Sequence, residues 1–288
     1  MSRGEVFGFL GPNGAGKTTT LRIILDIIQP TTGSVSVLGS PSAIPVRHRI
    51  GYLPEERGLY RKMRAAETIA YFARLRGVPA RKARKRAHEL LGRFGLGAFA
   101  KSRNEALSKG MAQKVQLLAT IAHDPEFLIL DEPFSGLDPI NQHTLETLIS
   151  DLKAEGRTII FSTHVMEHAE RLCDRFLIMA KGMKRFEGDL AAARAQLPKR
   201  VVIRTADNID GLRAAPGVIS ITQKGERSAD GAEVEYEIAL SPSADPQALL
   251  QHAVNGGVRL AKFEQGGARL HDIFVSIVGA ANAEAEAA

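Results

Sequence analysis

Nine residues near the start of the chain, Gly11-Pro12-Asn13-Gly14-Ala15-Gly16-Lys17-Thr18-Thr19, satisfy the spacing G-x-x-x-x-G-K-[ST]. Glycines let backbone N–H groups close around phosphates, which suits a nucleoside triphosphate. Lys17 is placed to neutralise the β- and γ-phosphates, and the Thr18 hydroxyl to bind Mg2+. Further along, four apolar residues run into two acids in Phe127-Leu128-Ile129-Leu130-Asp131-Glu132-Pro133. Carboxylates at the C-terminal end of a buried parallel strand face the crevice where ligands bind. Asp131 is suited to hold Mg2+ through water, and Glu132 to polarise an attacking water. A third run, Thr158 to Phe161, leads into Ser162-Thr163-His164 and aims a histidine at the same crevice.

These residues need a scaffold, and the pattern around them supplies one. Val6 to Leu10 reads as a buried strand, and Leu21, Ile24, Leu25 and Ile28 recur at helical spacing over Thr20 to Ile28. Strand, glycine-rich loop and helix in that order turn a helix N-terminus onto phosphates. Pro30 stops the helix, and Ser34 to Leu38 alternates like an exposed antiparallel strand. Arg49 to Leu53 reads as a strand ending at Pro54-Glu55-Glu56, and Ala65 to Ala122 as helical. Within that stretch Arg74, Arg76, Arg81, Lys82, Arg84, Lys85 and Arg86 concentrate positive charge. The concentration reads equally as a solvated helix face and as a contact for lipid headgroups or an acidic partner.

Composition sets the outer limits. The 288 residues hold one large domain plus a smaller one. No run approaches the roughly 18 apolar residues that span a bilayer, and no signal peptide is visible. The single cysteine, Cys173, excludes an internal disulfide and fits a reducing cytoplasm. A net charge of +6 suits nucleic acid or the anionic inner face of a membrane.

Leu107-Ser108-Lys109-Gly110-Met111 resembles the signature motif of the ATP-binding-cassette (ABC) ATPases. The phosphate loop, the loop after Tyr52-Leu53-Pro54 and the Asp131-Glu132 pair fall in that family's order. Ser135-Gly136-Leu137-Asp138 matches its D-loop and His164 its switch histidine, so the resemblance covers roughly Gly4 to Gly188. It implies an α/β P-loop NTPase domain over residues 1–197, with a helical subdomain at about 64–125. Two such domains are expected to pair head to tail around two ATP molecules. Ser108 and Gly110, with Asp138, then serve the nucleotide held by the second subunit. Lys17, Glu132 and His164 carry hydrolysis, and Thr18, Asp131 and Glu55 surround Mg2+. The implied partner is a separate transmembrane permease subunit, which leaves this chain peripheral at the cytoplasmic face of the cell membrane.

Some positions depart from the family pattern. Lys109 replaces the first signature glycine, Met111 stands where glutamine is usual, and Glu55 occupies the place of the loop glutamine that senses Mg2+ and the membrane partner. A carboxylate binds Mg2+ too, so altered coupling is expected with function kept. The run Gly51 to Tyr60, with Leu107-Ser108-Lys109-Gly110, resembles the sodium-efflux-like branch of exporter ATPases.

Pro198-Lys199-Arg200 mark a boundary before a second domain at 198–279. Ala191 to Gln196 finish a helix before it, and Val201 to Thr205 reads as strand and Ile209 to Ala215 as short helix. Val218 to Gln223 and Glu233 to Leu240 read as strands around a turn over Gly225 to Gly231. Pro246 to Val254 then reads as helix and Val258 to Phe263 as strand, a βαββαβ order that suggests a small α+β ferredoxin-like domain. Leu270 to Val278 adds an amphipathic helix, and the Ala/Glu-rich residues 280–288 read as a disordered tail. The domain resembles the accessory domain of this exporter branch, with a regulatory or dimer-stabilising role.

A soluble ABC ATPase acting on nucleic acid or ribosomes is the rival reading. Chromosome-type members insert a long coiled coil before the signature, and translation factors carry two cassettes; this chain shows neither, so no nucleic acid is expected. A GTPase would need an N-K-x-D motif, which is absent. The family also places a strand or two, with an adenine-stacking aromatic, ahead of the phosphate-loop strand. Here only Phe7 and Phe9 precede Lys17, and both read as core. Losing one such stack costs roughly 1–3 kcal/mol, on the order of ten- to a hundredfold in affinity. The sequence as written is therefore expected to bind ATP weakly, discriminate poorly against GTP and aggregate. Measuring ATP and GTP affinity for this chain and for one extended upstream in frame checks this; equal values would refute it.

Overall fold

The computed structural model describes residues 1–286 except 57, 225–232, 242 and 267, so the expected Gly225 to Gly231 turn lies outside the described residues. The chain divides into two compact units, Met1–Asp189 with Val278–Ala288, and Leu190–Ile277.

The first unit is built on a six-stranded sheet: β1 (Val6–Leu10), β2 (Ile50–Leu53), β3 (Phe127–Asp131), β4 (Thr158–Thr163), β5 (Arg175–Ala180) and β6 (Met183–Gly188). Its order is β2-β3-β4-β1-β5-β6. The first five strands in that order run parallel, and β6 returns antiparallel to β5. Parallel strands covered on both faces read as continuous apolar runs, and β3 shows the reason. Leu128 and Leu130 pack into one core layer, while Phe127 and Ile129 pack into the opposite one. Ile159 and Phe161 of β4 join the first layer, and Ile160 the second. In β1, Phe7 and Phe9 are core as expected.

Helices α1 (Lys17–Ile24), α2 (Ala65–Leu75), α3 (Ala80–Arg93), α4 (Lys109–Ile121), α5 (Pro139–Ala154) and α6 (Met166–Leu172) complete this unit. The expected helical stretch resolves into α2, α3 and α4, with 3-10 turns at Gly97–Phe99 and Asn104–Ala106 between α3 and α4. Two expectations here need correction. Helix α1 begins at Lys17, inside the phosphate loop, and ends at Ile24, because Asp26 takes a positive φ of 59°. Ser34 to Leu38 forms no strand. Leu38 and Gly39 both take positive φ and turn the chain back, leaving one bridge between Val37 and Ser40. The β5–β6 hairpin is an addition to the expected elements, although Phe176 to Ala180 is apolar and Lys181-Gly182 follows. Both turn residues take positive φ, as the favoured hairpin turn requires.

The second unit holds α7 (Leu190–Arg194), β7 (Lys199–Thr205), a 3-10 turn (Asp210–Ala214), β8 (Val218–Lys224), β9 (Val234–Leu240), α8 (Pro246–Asn255) and β10 (Lys262–Gly266). Its sheet is antiparallel, ordered β10-β7-β9-β8, with the expected βαββαβ sequence of elements but a 3-10 turn as its first helix. Leu249 and Ala253 of α8 and Leu212 pack with Val201, Ile203, Ile238 and Leu240. The last strand falls at Lys262–Gly266 instead of Val258 to Phe263. Val258 and Leu260 still pack against the core, but as approach loop. Helix α9 (Leu270–Glu286) runs on through most of the stretch expected as tail.

His123, just past α4, ties that helix to the sheet: its Nε2 donates to the Ile50 carbonyl at 3.0 Å, and its Nδ1 is buried without a partner. Burial pushes its pKa down to about 4, against a weaker upward pull from that carbonyl. The unfolded chain accepts this proton near 6.5 and the folded one only near 4, so the contribution is complete above 6.5 and is lost as pH falls toward 4. Urea midpoints are expected to decline across that window, and His123→Gln, which keeps a donor for Ile50, to flatten the decline relative to wild type.

Candidate functional site

Register assembles the site. Leu10 lies opposite Thr163, Asp131 opposite Ser162 and Leu53 opposite Leu130, so the C-terminal ends of four strands finish along one edge. The phosphate loop leaves β1 there. Gly14 and Gly16 take φ of 78° and 96°, a region open to glycine at little cost. Gly11 is needed for a different reason: a Cβ on it would sit 2.6 Å from the Met179 carbonyl and 3.0 Å from the Ala15 Cβ. Asn13 and Gly14 are exposed on the loop, and Thr19 is exposed in the first turn of α1.

Lys17, Asp131 and Glu132 are 6%, 1% and 7% exposed. The Lys17 ammonium donates to the Gly11 carbonyl at 2.7 Å and the Pro12 carbonyl at 3.2 Å, and lies 3.7 Å from Glu132 Oε1. Thr18 Oγ1 donates to Asp131 Oδ1 at 3.3 Å. Glu132 takes a φ of 47°, strained for a residue with a side chain, and its Oε1 lies 3.0 Å from His164 Nδ1. The structure therefore brings Lys17, Thr18, Asp131, Glu132 and His164 together.

Ser162 is the residue that sequence reasoning passed over. Its hydroxyl donates to Asp131 Oδ1 at 2.5 Å and accepts from the Glu132 backbone N–H at 3.0 Å, fixing both acids. Its only signal in the sequence is a place at a strand end, and its role depends on which strand lies beside it.

Asp131 Oδ2 is buried with no hydrogen-bond partner, next to the carboxylate's contact with Thr18. A hydroxyl and a carboxylate with one orphaned oxygen fit a hard cation that keeps further positions for water and phosphate oxygens, as Mg2+ does. Among the described residues no group of three or more His, Cys, Asp or Glu could hold a metal, so protein side chains supply only part of such a shell. Glu55 is exposed on the loop after β2 and makes no hydrogen bond or ion pair among the described residues. Beside it, burial and then the Asp131 charge hold the Tyr52 phenol above its usual pKa.

Ser108, Gly110 and Asp138 form a separate group. Ser108 caps α4, accepting from the Met111 N–H at 3.3 Å. Asp138 caps α5 through the Asn141 N–H at 2.9 Å, and the backbone and side-chain bonds from Asn141 hold its carboxyl below the usual range. A Cβ on Gly110 would sit 2.7 Å from the Asn141 amide nitrogen, so glycine lets the two helix starts meet. Among the described residues no hydrogen bond or ion pair joins this group to Lys17, Asp131 or Glu132.

The comparisons fit this arrangement. A family profile described as ABC transporter matches residues 1–135. An uncharacterized ABC transporter ATP-binding protein, YhaQ of Bacillus subtilis, is 42% identical over 278 residues, 96% of this chain and 90% of that protein. The Nod factor export ATP-binding protein I of Burkholderia pseudomallei is 34% identical over 280 residues, 96% of this chain and 88% of that one. A solved ATP-binding subunit of an ABC transporter matches with a TM-score of 0.62 at 36% identity, covering 67% of this chain and 82% of the other. The cbiO1 subunit from Clostridium perfringens, part of the transporter complex cbiONQ, matches with a TM-score of 0.59 at 28% identity, covering 66% and 78%. No helix among the described residues is long and apolar enough to cross a membrane. The chain belongs to the ATP-binding proteins of ABC transporters, the ATPases that energise transport through a membrane-spanning partner.

Proposed function

We propose that this chain is the ATPase of an exporter, paired head to tail with a second nucleotide-binding subunit beneath a separate permease at the cytoplasmic face of the cell membrane. The observation that carries the catalytic part is the buried trio Lys17, Asp131 and Glu132 at one edge of the sheet, with the half-exposed His164 3.0 Å from Glu132. The 34% identity to a Nod factor export protein over 96% of the chain supports the direction of transport. For the C-terminal unit we propose a domain of residues 198–279 that regulates or stabilises the dimer.

In this reading Lys17 exchanges the Gly11 and Pro12 carbonyls for the β- and γ-phosphates of ATP. Thr18 and Asp131 would hold Mg2+, with Glu55 a further candidate ligand; when bound, the ion would neutralise the phosphate oxygens. Glu132 orients the attacking water and takes its proton, the water oxygen bonds to the γ-phosphorus, and the bond to the bridging oxygen breaks to leave ADP. His164 holds Glu132 and orders the γ-phosphate. Positioning and electrostatics supply most of the rate, as phosphoryl transfer requires. Ser108, Gly110 and Asp138 serve the nucleotide of the second subunit, which accounts for their lack of contact with Lys17.

Glu132→Gln is expected to bind ATP normally, lose at least about a hundredfold in turnover and accumulate as an ATP-bound dimer on size exclusion. Near-normal hydrolysis would exclude Glu132 as the group that activates the water. Ser108→Arg is expected to leave nucleotide binding by the monomer intact and to block hydrolysis by the pair. Equal loss of both, by equilibrium binding and phosphate release, would count against the sandwich.

A further inference from the structure

We propose that the corner where α2 meets α3 binds the phosphate headgroups of an anionic lipid surface. Arg74 lies in the last turn of α2 and Arg76, half-buried and donating to the Arg47 carbonyl at 3.2 Å, caps it, while Arg81, Lys82, Arg84, Lys85 and Arg86 occupy the first two turns of α3. That helix has no acidic residue in its first turn, and its N-terminal dipole is already positive. Like charges at i and i+4, as in Arg81 with Lys85 and Lys82 with Arg86, add repulsion. The arrangement works against the helix, so helix stability does not account for it.

Among the described residues the fold leaves most of the cluster's charge unneutralised. Of its seven cations only Lys85 meets a carboxylate among the described residues, Glu89 at 3.7 Å. Ala83, Ala87, Leu90 and Leu91 face the core, which leaves the charged side outward. Lys82, Lys85 and Arg86 border a recess of about 370 Å3 against Ala122, His123 and Asp124, wide enough for a phosphate group. The acids at its rim are engaged already, Glu89 with Lys85 and Asp124 with Arg157 at 2.6 Å.

The chemistry of the corner favours lipid over other polyanions. Leu75, 61% exposed, stands amid the cations. An exposed aliphatic side chain between two arginines suits the boundary between headgroups and acyl chains. Single-stranded nucleic acid would call for aromatic faces beside the charges, but Tyr71 and Phe72 are engaged in ring contacts with each other and with Tyr60. A subunit of a membrane transporter also works where such a surface is at hand.

The test is sedimentation of the full chain with vesicles of phosphatidylcholine alone or mixed with phosphatidylglycerol, at low and high salt. Binding is expected only to the anionic vesicles and to weaken with salt. Combined Arg81→Gln, Lys82→Gln and Lys85→Gln should lower the partition roughly a hundredfold, at about fivefold per cation. Leu75→Ser should lower it severalfold. Removing three exposed cations elsewhere, by Lys101→Gln, Lys184→Gln and Arg213→Gln, should leave it near wild type, separating a local patch from net charge. Equal binding to neutral vesicles, an unaffected triple variant, an equal loss in the control, or tighter binding to polyglutamate than to the vesicles would each overturn the proposal. Vesicle binding needs no nucleotide, so its failure is distinct from failure of the proposed hydrolysis.

Discussion

Three ionisable side chains held almost completely out of water govern this molecule. Asp131 and Glu132 at the end of β3, and Lys17 at the start of α1, lie where burial of a charge is tolerated only if another charge or several dipoles meet it. The one ammonium pairs with Glu132, while Asp131 meets only the Thr18 and Ser162 hydroxyls and its Oδ2 is left without a partner, so the cluster is short of positive charge. That shortage suits a divalent cation arriving with a polyphosphate. Folding creates the deficit, and substrate with its metal would relieve it.

The same constraint explains where backbone strain is stored. Glu132 could continue β3 in extended conformation, but its carboxylate would then follow the pleat away from Lys17. A left-handed φ at Glu132 re-aims it toward Lys17 and His164. Such a conformation costs of order 1–3 kcal/mol and persists when surrounding structure over-determines it. Ser162 provides part of that, gripping the Glu132 N–H and the Asp131 carboxylate with one hydroxyl. Behind the site, His168 stacks on Phe134 at 3.9 Å and bonds Glu146 at 2.8 Å, which braces the turn that follows the two acids.

The second unit uses polar groups differently. Arg200 and Lys224 both reach Glu237 across strands, at 3.1 and 3.2 Å, and Lys262 reaches Glu235 at 3.7 Å. These exposed pairs each contribute little to stability. They keep that face of the sheet charged and hydrated, while the opposite face carries the apolar core. Charge thus serves solvation there, compensation at the nucleotide site and, at the α2–α3 corner, recognition.

The sequence by itself determined what depends on neighbours along the chain. The glycine-lysine loop and the acids after an apolar run are local patterns, and each is legible without any tertiary contact. The element order of the second unit is legible too, because turns and alternation are written within a few residues. Tertiary structure alone decided what depends on pairing partners. Ser162 became a bridge only when β4 lay in register beside β3, and Gly110 a contact only when Asn141 arrived from α5. Ser34 to Leu38 carries the alternation of a strand but pairs with no strand among the described residues, so it turns back on itself. The last strand slid to Lys262–Gly266 because its hydrogen-bonding register with β7 outweighed its own apolar alternation. A strand is completed by a neighbour distant in sequence, whereas a phosphate loop carries its geometry within nine residues.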